Sequence, residues 1–170
     1  LVSGEIAPDG IDINFGCPVA KVAKQKAGAE LMKDLEQSRQ VVESVLENTD
    51  LPVSVKVRAR CGNVDAVSFI KNISDLPISA LMVHGRSLAQ GFSGEADFSA
   101  VKEVRRFFPG IILANGGIFK PSDGIKAYKD SGADGLGIAR GAMGNPWIFA
   151  QIKQSLVASI AKQESPGHEE

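Results

Sequence analysis

Apolar residues along the chain follow two alternating spacings, one typical of strands and one typical of helices. Short apolar or alternating runs begin near five positions, at Ile11, Val53, Leu81, Ile111 and Leu136. Between these runs, apolar residues recur at every third or fourth position. In the first such segment the apolar stripe consists of Leu31, Leu35, Val42 and Val45. The pattern predicts an amphipathic helix after each strand.

Start and stop signals bound the later helices. We expect a second helix over residues 65–73 and a third that carries Val101 and Val104. A fourth follows Pro121 and ends near Gly132. Strands and helices that alternate in this way predict parallel strands with right-handed crossovers, in an α/β sheet or barrel. A complete α/β barrel needs about 250 residues, so a chain of 170 residues predicts a partial barrel.

Polar side chains gather on one face of the predicted strands, toward their carboxyl ends. In residues 53–57 the valines share one face and Lys56 lies on the other. Asn14, His84 and Asn115 come near the ends of three other strands. The carboxyl ends of parallel strands meet at one edge, where α/β folds bind their ligands. The sequence therefore predicts a single polar site at this edge.

Cys17 follows the first strand directly, between Gly16 and Pro18. A lone cysteine is more often a small buried hydrophobe than a reactive group. The tight exit that glycine and proline impose on the chain instead favours a thiol held over the mouth of the barrel. Because an ordinary thiol is protonated at neutral pH, Cys17 is a candidate proton donor.

Several other residues have both a functional and a plain structural interpretation. Lys56 can extend to solvent, but a charge among valines favours an anionic partner such as a cofactor ring or a phosphate. The small residues of Asn115–Gly117 and Ala139–Gly141 let backbone N–H groups approach a phosphate. His84 alone is equally consistent with a structural histidine. We interpret Trp147 as a residue of the core or of an interface.

Composition excludes several classes of protein. The chain has 19 Lys and Arg against 20 Asp and Glu, a net charge of −1, so it has no basic nucleic-acid arm. Its two cysteines, Cys17 and Cys61, are too few for a disulfide framework and are not spaced as metal ligands, which favours a reducing cytoplasm. No apolar run approaches the roughly 20 residues of a membrane span. We therefore expect a cytoplasmic protein without metal or membrane contacts.

Several specific runs occur in a fixed order. The first is Asp12–Pro18 (Asp-Ile-Asn-Phe-Gly-Cys-Pro), which is followed by Lys21-Val22 and Gly28-Ala29. The later ones are Val55–Arg58, Val83–Arg86, Ala89–Gly94, Asn115–Ile118 and Ala139–Trp147. Together they resemble the signature of the tRNA-dihydrouridine synthase family, over nearly all of the chain from residue 10 to residue 149.

The resemblance implies a flavin enzyme. Members of that family are FMN-containing TIM (β/α)8 barrels with a C-terminal helical domain, and they reduce uridines in tRNA to 5,6-dihydrouridine with NADPH as the usual reductant. By resemblance, the flavin N5 delivers hydride to C6 of the uracil, and Cys17 protonates C5. A base in a folded tRNA must be extruded to reach such a pocket.

The resemblance also implies roles for individual residues. Lys56 is expected near N1 and O2 of the flavin, and His84 near the flavin or its phosphate. Asn14 and Arg86 are expected to bind the substrate. The phosphate and ribityl end of FMN is assigned to Asn115, Gly116, Gly117, Ala139 and Arg140.

The same resemblance predicts a fragment. The five strands correspond to strands four to eight of the family's barrel, so we expect residues 1–155 to form a partial FMN-binding barrel. Residues 156–170 are expected to be a polar tail at the start of a missing helical domain, frayed from Lys162 onward.

Two positions depart from the family's pattern. Gly117 stands where the family usually has an acidic residue. The backbone N–H of Gly117 can still donate a hydrogen bond, but the glycine has no side chain to contact a ligand. Cys61-Gly62 stands where the family commonly has Gly-Trp. Cys61 follows a strand next to Cys17, and a disulfide between them would abolish the acid role, although a reducing compartment disfavours one.

Two other functions fit part of the sequence. One is another FMN barrel oxidoreductase that acts on a small molecule, similar to dihydroorotate dehydrogenase, but that group lacks the Asn-x-Gly-Cys-Pro motif. The other is a non-catalytic fragment that binds flavin or RNA without turnover. Cys17, Lys56 and His84 together favour catalysis, whereas the short chain favours a remnant.

Overall fold

The computed structural model describes residues 7–164, which contain seven strands. They are β1 (Ile11–Asn14), β2 (Val53–Arg58), β3 (Arg60–Cys61), β4 (Val64–Asp65), β5 (Ala80–His84), β6 (Ile111–Asn115) and β7 (Gly135–Gly137). Five of them form one sheet in the order β1-β2-β5-β6-β7, and every neighbouring pair is parallel. The predicted α/β fold with five parallel strands is confirmed.

Helices connect the strands of this sheet. They are α1 (Ala20–Ala23), α2 (Leu35–Glu47), α3 (Ala66–Ile73), α4 (Ser99–Val104), α5 (Pro121–Ser131) and α6 (Ile148–Glu164), with 3-10 turns at Gly28–Lys33 and Arg140–Ala142. Leu31 lies in the first 3-10 turn, so the predicted first helix is shorter than its apolar stripe. The later helices match their predicted bounds within a few residues.

Short polar residues fix where these helices begin. The carboxylate of Asp34 accepts a hydrogen bond from the backbone N–H of Gln37 (3.0 Å) at the start of α2. Asp65 accepts one from Ser68 (2.8 Å) in the same way at the start of α3. Each carboxylate satisfies a backbone donor that the first turn leaves free. At the other end of α5, Gly132 takes the left-handed conformation (φ 62°) that ends a helix.

The strands β3 and β4 form an antiparallel hairpin between β2 and α3. Sequence periodicity did not predict this hairpin, because two residues per strand are too few to show alternation. Its turn contains Gly62, whose φ is +57°. The hairpin buries Cys61 completely, and Cys17 and Cys61 are both free cysteines in this structure.

The hydrophobic core lies between the sheet and its helices. Alternate residues of β2 point into it, and Val53, Val55 and Val57 are at most 1% exposed. The ring of Phe15 packs against that of Phe69 with centroids 5.0 Å apart. We call this side the packed face of the sheet, defined by Ile13, Val55, Val57, Leu81, Val83, Ile112 and Ala114.

The opposite side of the sheet has no helix over it within the described residues. We call it the open face, defined by the alternate positions Asn14, Ser54, Lys56, Arg58, Met82, His84, Leu113 and Asn115. Its residues are mostly polar or partly exposed. In a closed barrel this side would line the interior.

The last described helix extends past residue 155, where the sequence analysis predicts the end of the barrel domain. Helix α6 continues through residues 155 and 156, and Leu156 packs against the core. Residues 162–164, expected to fray, are helical, and residues 165–170 of that tail lie outside the described range. Trp147 is 68% exposed, so it is not a core residue, and its alternative place in an interface stays a prediction. None of the described helices is both long and apolar enough to cross a membrane.

Candidate functional site

A cavity of about 290 Å³ lies at the carboxyl edge of the sheet. It is lined by all of the residues that the sequence singled out: Asn14, Cys17, Lys56, His84, Arg86, Asn115, Gly116, Gly117, Ala139 and Arg140. These residues come from four strands, β1, β2, β5 and β6, and from the loops after β1, β5, β6 and β7. The structure thus brings the candidates together, while their individual roles stay predictions.

Strand register explains why these residues meet. Asn14 at the end of β1 is paired with Lys56 of β2. Two residues further along β2, Arg58 is paired with His84, which in turn is paired with Asn115. Side chains two residues apart on a strand share a face. The parallel register therefore aligns the polar groups in a row across the open face.

The loop that carries Cys17 is held by hydrogen bonds on both sides. The side-chain oxygen of Asn14 accepts a bond from the Gly16 N–H (2.8 Å), and the Cys17 carbonyl accepts one from Ala29 (3.0 Å). Gly28 has φ +60° and lies so close that a Cβ there would be 2.9 Å from Cys17 Cβ. The half-buried thiol is thereby fixed at the cavity, and the Asn14 amide N–H groups stay available to a ligand.

The cavity has a strongly cationic wall. Lys56, Arg58, Arg86 and Arg140 line it, and its lining contains neither Asp nor Glu. Burial, followed by repulsion from Arg58, lowers the pKa of Lys56. The Lys56 ammonium makes no hydrogen bond or ion pair with any described residue. Such a wall favours an anionic ligand.

Arg58 is a site residue that the sequence analysis missed. It is 2% exposed and donates to the carbonyls of Gly16 (2.9 Å), Ser87 (3.1 Å) and Gly91 (3.2 Å). It therefore ties the Cys17 loop to the loop after β5. The period-two rule places Arg58 on the same face as Lys56, so the sequence did carry a signal for it.

Two buried side chains at the site have unpartnered nitrogens. His84 is 7% exposed and Arg86 is 6% exposed, yet His84 Nε2 and Arg86 Nη1 lack a hydrogen-bond partner among the described residues. The other Arg86 nitrogens are fixed, since Nε and Nη2 both donate to the Gly94 carbonyl (3.0 and 2.8 Å). A buried polar atom without a partner costs free energy. Both atoms therefore point to a ligand in the cavity.

The protonation state of His84 follows from its surroundings. Burial is the largest cause that lowers its pKa to about 4, and the positive charges of Arg58, Lys56, Arg86 and Arg140 lower it further. The imidazole is therefore neutral at neutral pH. It offers one hydrogen-bond donor and one acceptor rather than a fifth positive charge.

The glycines after β6 let the backbone approach this pair closely. Gly116 has φ +115°, and a Cβ there would lie 2.5 Å from His84 Cδ2. Gly117 has φ +69°, and a Cβ there would lie 3.4 Å from Arg86 Nη2. The side chain of Asn115 is used within the fold, donating to the Gly137 carbonyl (2.6 Å). The glycines thus keep the end of the cavity beside Arg86 open.

Metal ligands are not grouped in the described part of the chain. No cluster of three or more His, Cys, Asp or Glu residues is found there that would suit a metal ion.

Comparison with known proteins places the chain in a family. Residues 3–170 match the family described as "Dihydrouridine synthase (Dus)". A "tRNA-dihydrouridine synthase B" of Vibrio vulnificus (strain CMCP6) is 36% identical over 158 residues, 92% of this chain and 49% of the relative. A "Probable tRNA-dihydrouridine synthase" of Rickettsia conorii (strain ATCC VR-613 / Malish 7) is 36% identical over 148 residues, 86% of this chain and 45% of the relative.

A third relative is slightly less similar in sequence. A "Probable tRNA-dihydrouridine synthase 1" of Synechocystis sp. (strain ATCC 27184 / PCC 6803 / Kazusa) is 33% identical over 145 residues, 84% of this chain and 41% of the relative. The chain spans about half the length of the curated relatives that it matches. The match over almost every residue shows that this chain belongs to the dihydrouridine synthase family.

Proposed function

We propose that the protein reduces uridine in tRNA to 5,6-dihydrouridine, with FMN as its bound cofactor and NADPH as reductant. The observation that carries the proposal is the convergence of Cys17, Lys56, His84 and Arg86 on one cationic cavity. The names of the relatives support the reaction and the RNA substrate. A reducing, cytoplasmic location fits the free thiol that this reaction requires.

The residues at the cavity fit FMN. A flavin phosphate is an anion, and the wall supplies four cations without a competing carboxylate. The unpartnered Arg86 Nη1 lies at the Gly117 end, beside the small-residue loops proposed to hold the phosphate and ribityl chain. Gly116, Ala139 and Arg140 complete that end of the cavity. Arg86, which the resemblance assigns to the substrate, would donate a hydrogen bond through Nη1 to a phosphate oxygen of the RNA or of the flavin.

Lys56 and His84 are proposed to act on the flavin ring. When bound, the flavin supplies the hydride that adds to C6 of uracil. Lys56 has no partner among the described residues, and its positive charge would stabilise negative charge near N1 and O2 of the ring. His84 is neutral and donates or accepts one hydrogen bond through Nε2.

Cys17 is proposed to supply the proton at C5. Its thiol lies on the cavity wall beside Asn14, whose side-chain N–H groups are free to hold the uracil carbonyl. Transfer of the proton from Sγ balances the hydride, so that the ring gains two hydrogens. The thiolate left behind regains its proton from solvent, which the partial exposure of Cys17 permits.

The test expresses the complete reading frame in a host without its own dihydrouridine synthases. Dihydrouridine in tRNA is measured by mass spectrometry for the wild type, for Cys17→Ala and for Cys61→Ala. We expect dihydrouridine with the wild type and with Cys61→Ala, and a loss of about 100-fold or more in rate with Cys17→Ala. The buried Cys61 is a matched control, because it is a free cysteine that does not line the cavity.

Two outcomes contradict the proposal in different ways. If FMN binds but neither the wild type nor Cys61→Ala restores dihydrouridine, tRNA is not the substrate, and a small molecule, as in other FMN barrels, is the next substrate to test. If no flavin binds, the protein is a non-catalytic remnant. If the wild type and Cys17→Ala produce equal amounts of dihydrouridine, only the proposed acid role of Cys17 is contradicted, and the proposed reaction stands.

A further inference from the structure

Two exposed aromatic rings flank a cation at the mouth of the cavity. The guanidinium carbon of Arg140 lies 4.1 Å from the centroid of the Phe92 ring and 5.3 Å from that of Phe119. Phe92 is 58% exposed and Phe119 is 50% exposed. The three residues come from separate loops, after β5, after β6 and after β7. All three line the cavity.

Arg140 differs from the other cations of the cavity in how it is held. Arg58 and Arg86 are buried and fixed by hydrogen bonds to carbonyls. Arg140 is exposed and makes no side-chain hydrogen bond or ion pair with the described residues. An exposed arginine side chain has about 2 kcal/mol of rotamer entropy to lose when it binds a ligand. The two rings are therefore the contacts that restrict it.

The geometry leaves the donors of Arg140 usable. An arginine that packs its flat face on an aromatic ring keeps the N–H groups at its edge free for an oxyanion. Its charge also acts on the cavity, since Arg140 is among the groups that lower the pKa of His84. The rings thus hold the cation where an anion would enter without consuming a donor.

We infer that Phe92 and Phe119 are positioning residues, which hold the Arg140 guanidinium at the cavity mouth to bind the phosphate of the cofactor. The inference rests on the proposed function, in which Arg140 contacts that phosphate. It assigns a role to two residues for which the sequence analysis had none. Restricting Arg140 before binding lowers the entropy lost in binding, and so raises affinity for a phosphorylated flavin alone.

The chain offers a matched control for these rings. Phe107 is 38% exposed and packs against Lys71, whose ammonium lies 4.3 Å from the ring centroid. This pair has the same kind of contact as Phe92 and Arg140. Neither Phe107 nor Lys71 lines the cavity. A change at Phe107 therefore reports the loss of an exposed cation–π pair that has no role in binding.

The first experiment measures dissociation constants of FMN and riboflavin by quenching of flavin fluorescence. Riboflavin lacks the phosphate, so the ratio of the two constants isolates the phosphate contact. We expect Phe92→Leu to weaken FMN binding by about 3-fold, and the Phe92→Leu/Phe119→Leu double variant by about 10-fold, with riboflavin unchanged. Phe107→Leu should change neither constant.

A double-mutant cycle separates the inference from the proposed function. Arg140→Met should lower the preference for FMN over riboflavin. In a protein that already carries Arg140→Met, Phe92→Leu should have no further effect on that preference. If Arg140→Met lowers the preference but Phe92→Leu does not, the inference is wrong and the phosphate role of Arg140 stands. If Arg140→Met leaves the preference intact, the phosphate role fails, and the inference with it. An equal loss of FMN and riboflavin affinity in Phe92→Leu would mean that the ring contacts the flavin itself.

A second measurement needs no ligand. Nitrogen-15 relaxation of arginine Nε–H groups reports side-chain motion on the picosecond to nanosecond timescale. We expect Arg140 to be more rigid than the exposed Arg106, and to gain mobility in Phe92→Leu but not in Phe107→Leu. Equal mobility of Arg140 and Arg106 in the wild type would overturn the inference, whether or not the chain binds flavin.

Discussion

The two faces of the sheet differ in what their side chains contact, although they alternate along the same strands. On the packed face, Val55 and Val57 are completely buried against the helices. On the open face, Lys56 between them has a lowered pKa and no partner among the described residues. The packed face therefore stabilises the fold, whereas the open face leaves Lys56 and the Nε2 atom of His84 without partners among the described residues and so available to a ligand.

This difference shows how a single strand carries both functions. A polar group on the packed face would be sealed from water and would cost several kcal/mol. On the open face a polar group either keeps some contact with water, as Lys56 does, or is buried with hydrogen-bond partners, as Arg58 is. The strand register alone aligns Lys56, Arg58, His84 and Asn115 at this edge. Substitutions at neighbouring positions of one strand should therefore change the free energy of unfolding by different amounts.

The largest expected effect compares Leu81→Ala with Met82→Ala. These neighbours in β5 face opposite sides, with Leu81 1% exposed in the core and Met82 only half-buried on the open face. We expect Leu81→Ala to lower the free energy of unfolding by about 2–5 kcal/mol, and Met82→Ala by about 1 kcal/mol. Chemical denaturation followed by circular dichroism measures both.

The result for Met82 decides whether the comparison holds. Met82 contacts the strand that ends the sheet, since a Cβ on Gly137 would lie 2.8 Å from its sulfur. If Met82→Ala costs as much as Leu81→Ala, the open face is packed in solution. A second chain or a further segment would then cover it.

The sequence predicted the fold well because the fold depends on short-range signals. The alternation of apolar residues in 53–57 and the proline and glycine around α5 are local, and both were interpreted correctly. The site residues could be grouped because parallel strands end at one edge. What could not be predicted depends on contacts between loops, such as the bonds from Arg58 to Gly16 and Gly91.

The unpartnered nitrogens and the aromatic rings also could not be predicted from the sequence. The sequence places His84 at a strand end, but only the structure shows that its Nε2 lacks a partner and that four cations surround it. Phe92 lies in the run Ala89–Gly94, which resembles part of the family's signature but assigns no role to the ring. Its contact with Arg140 joins two loops, and the two residues are 48 positions apart in the chain. Such contacts have no periodicity to reveal them.

The second prediction concerns how the free energy of unfolding changes in acid, where His84 on the open face gains a proton. The pKa of His84 is lowered from 6.5 to about 4 in the folded protein, so between these values the unfolded state binds more protons. The free energy of unfolding should therefore fall as the pH drops from about 6.5 to about 4, and level off below for this group. We expect a loss on the order of 1–2 kcal/mol, after allowing for solvent screening at the cavity.

Carboxylates also titrate in acid, so the contribution of His84 is measured as a difference. Denaturation curves for the wild type and His84→Asn are compared from pH 7.5 to pH 4, and the difference between them should change only in the predicted window. In parallel, imidazole NMR signals that His84→Asn removes should titrate near pH 4. A titration of those signals near pH 6.5 would show that neither burial nor the cations act on this side chain.

The smallest expected effect is a gain in stability. Lys56→Met keeps the length of the side chain but removes a half-buried charge that has no partner among the described residues. We expect the free energy of unfolding to rise by about 0.5–1 kcal/mol, because the cost of dehydrating the ammonium disappears. Lys102→Met, at an exposed position of α4, should leave stability unchanged. The same Lys56→Met protein should bind FMN more weakly, because it lacks the positive charge proposed to act on the flavin ring. The ammonium of Lys56 thus lowers the stability of the fold but supports ligand binding. A variant that is less stable than the wild type would show instead that the ammonium has a stabilising partner, and that the open face contributes to the fold as the packed face does.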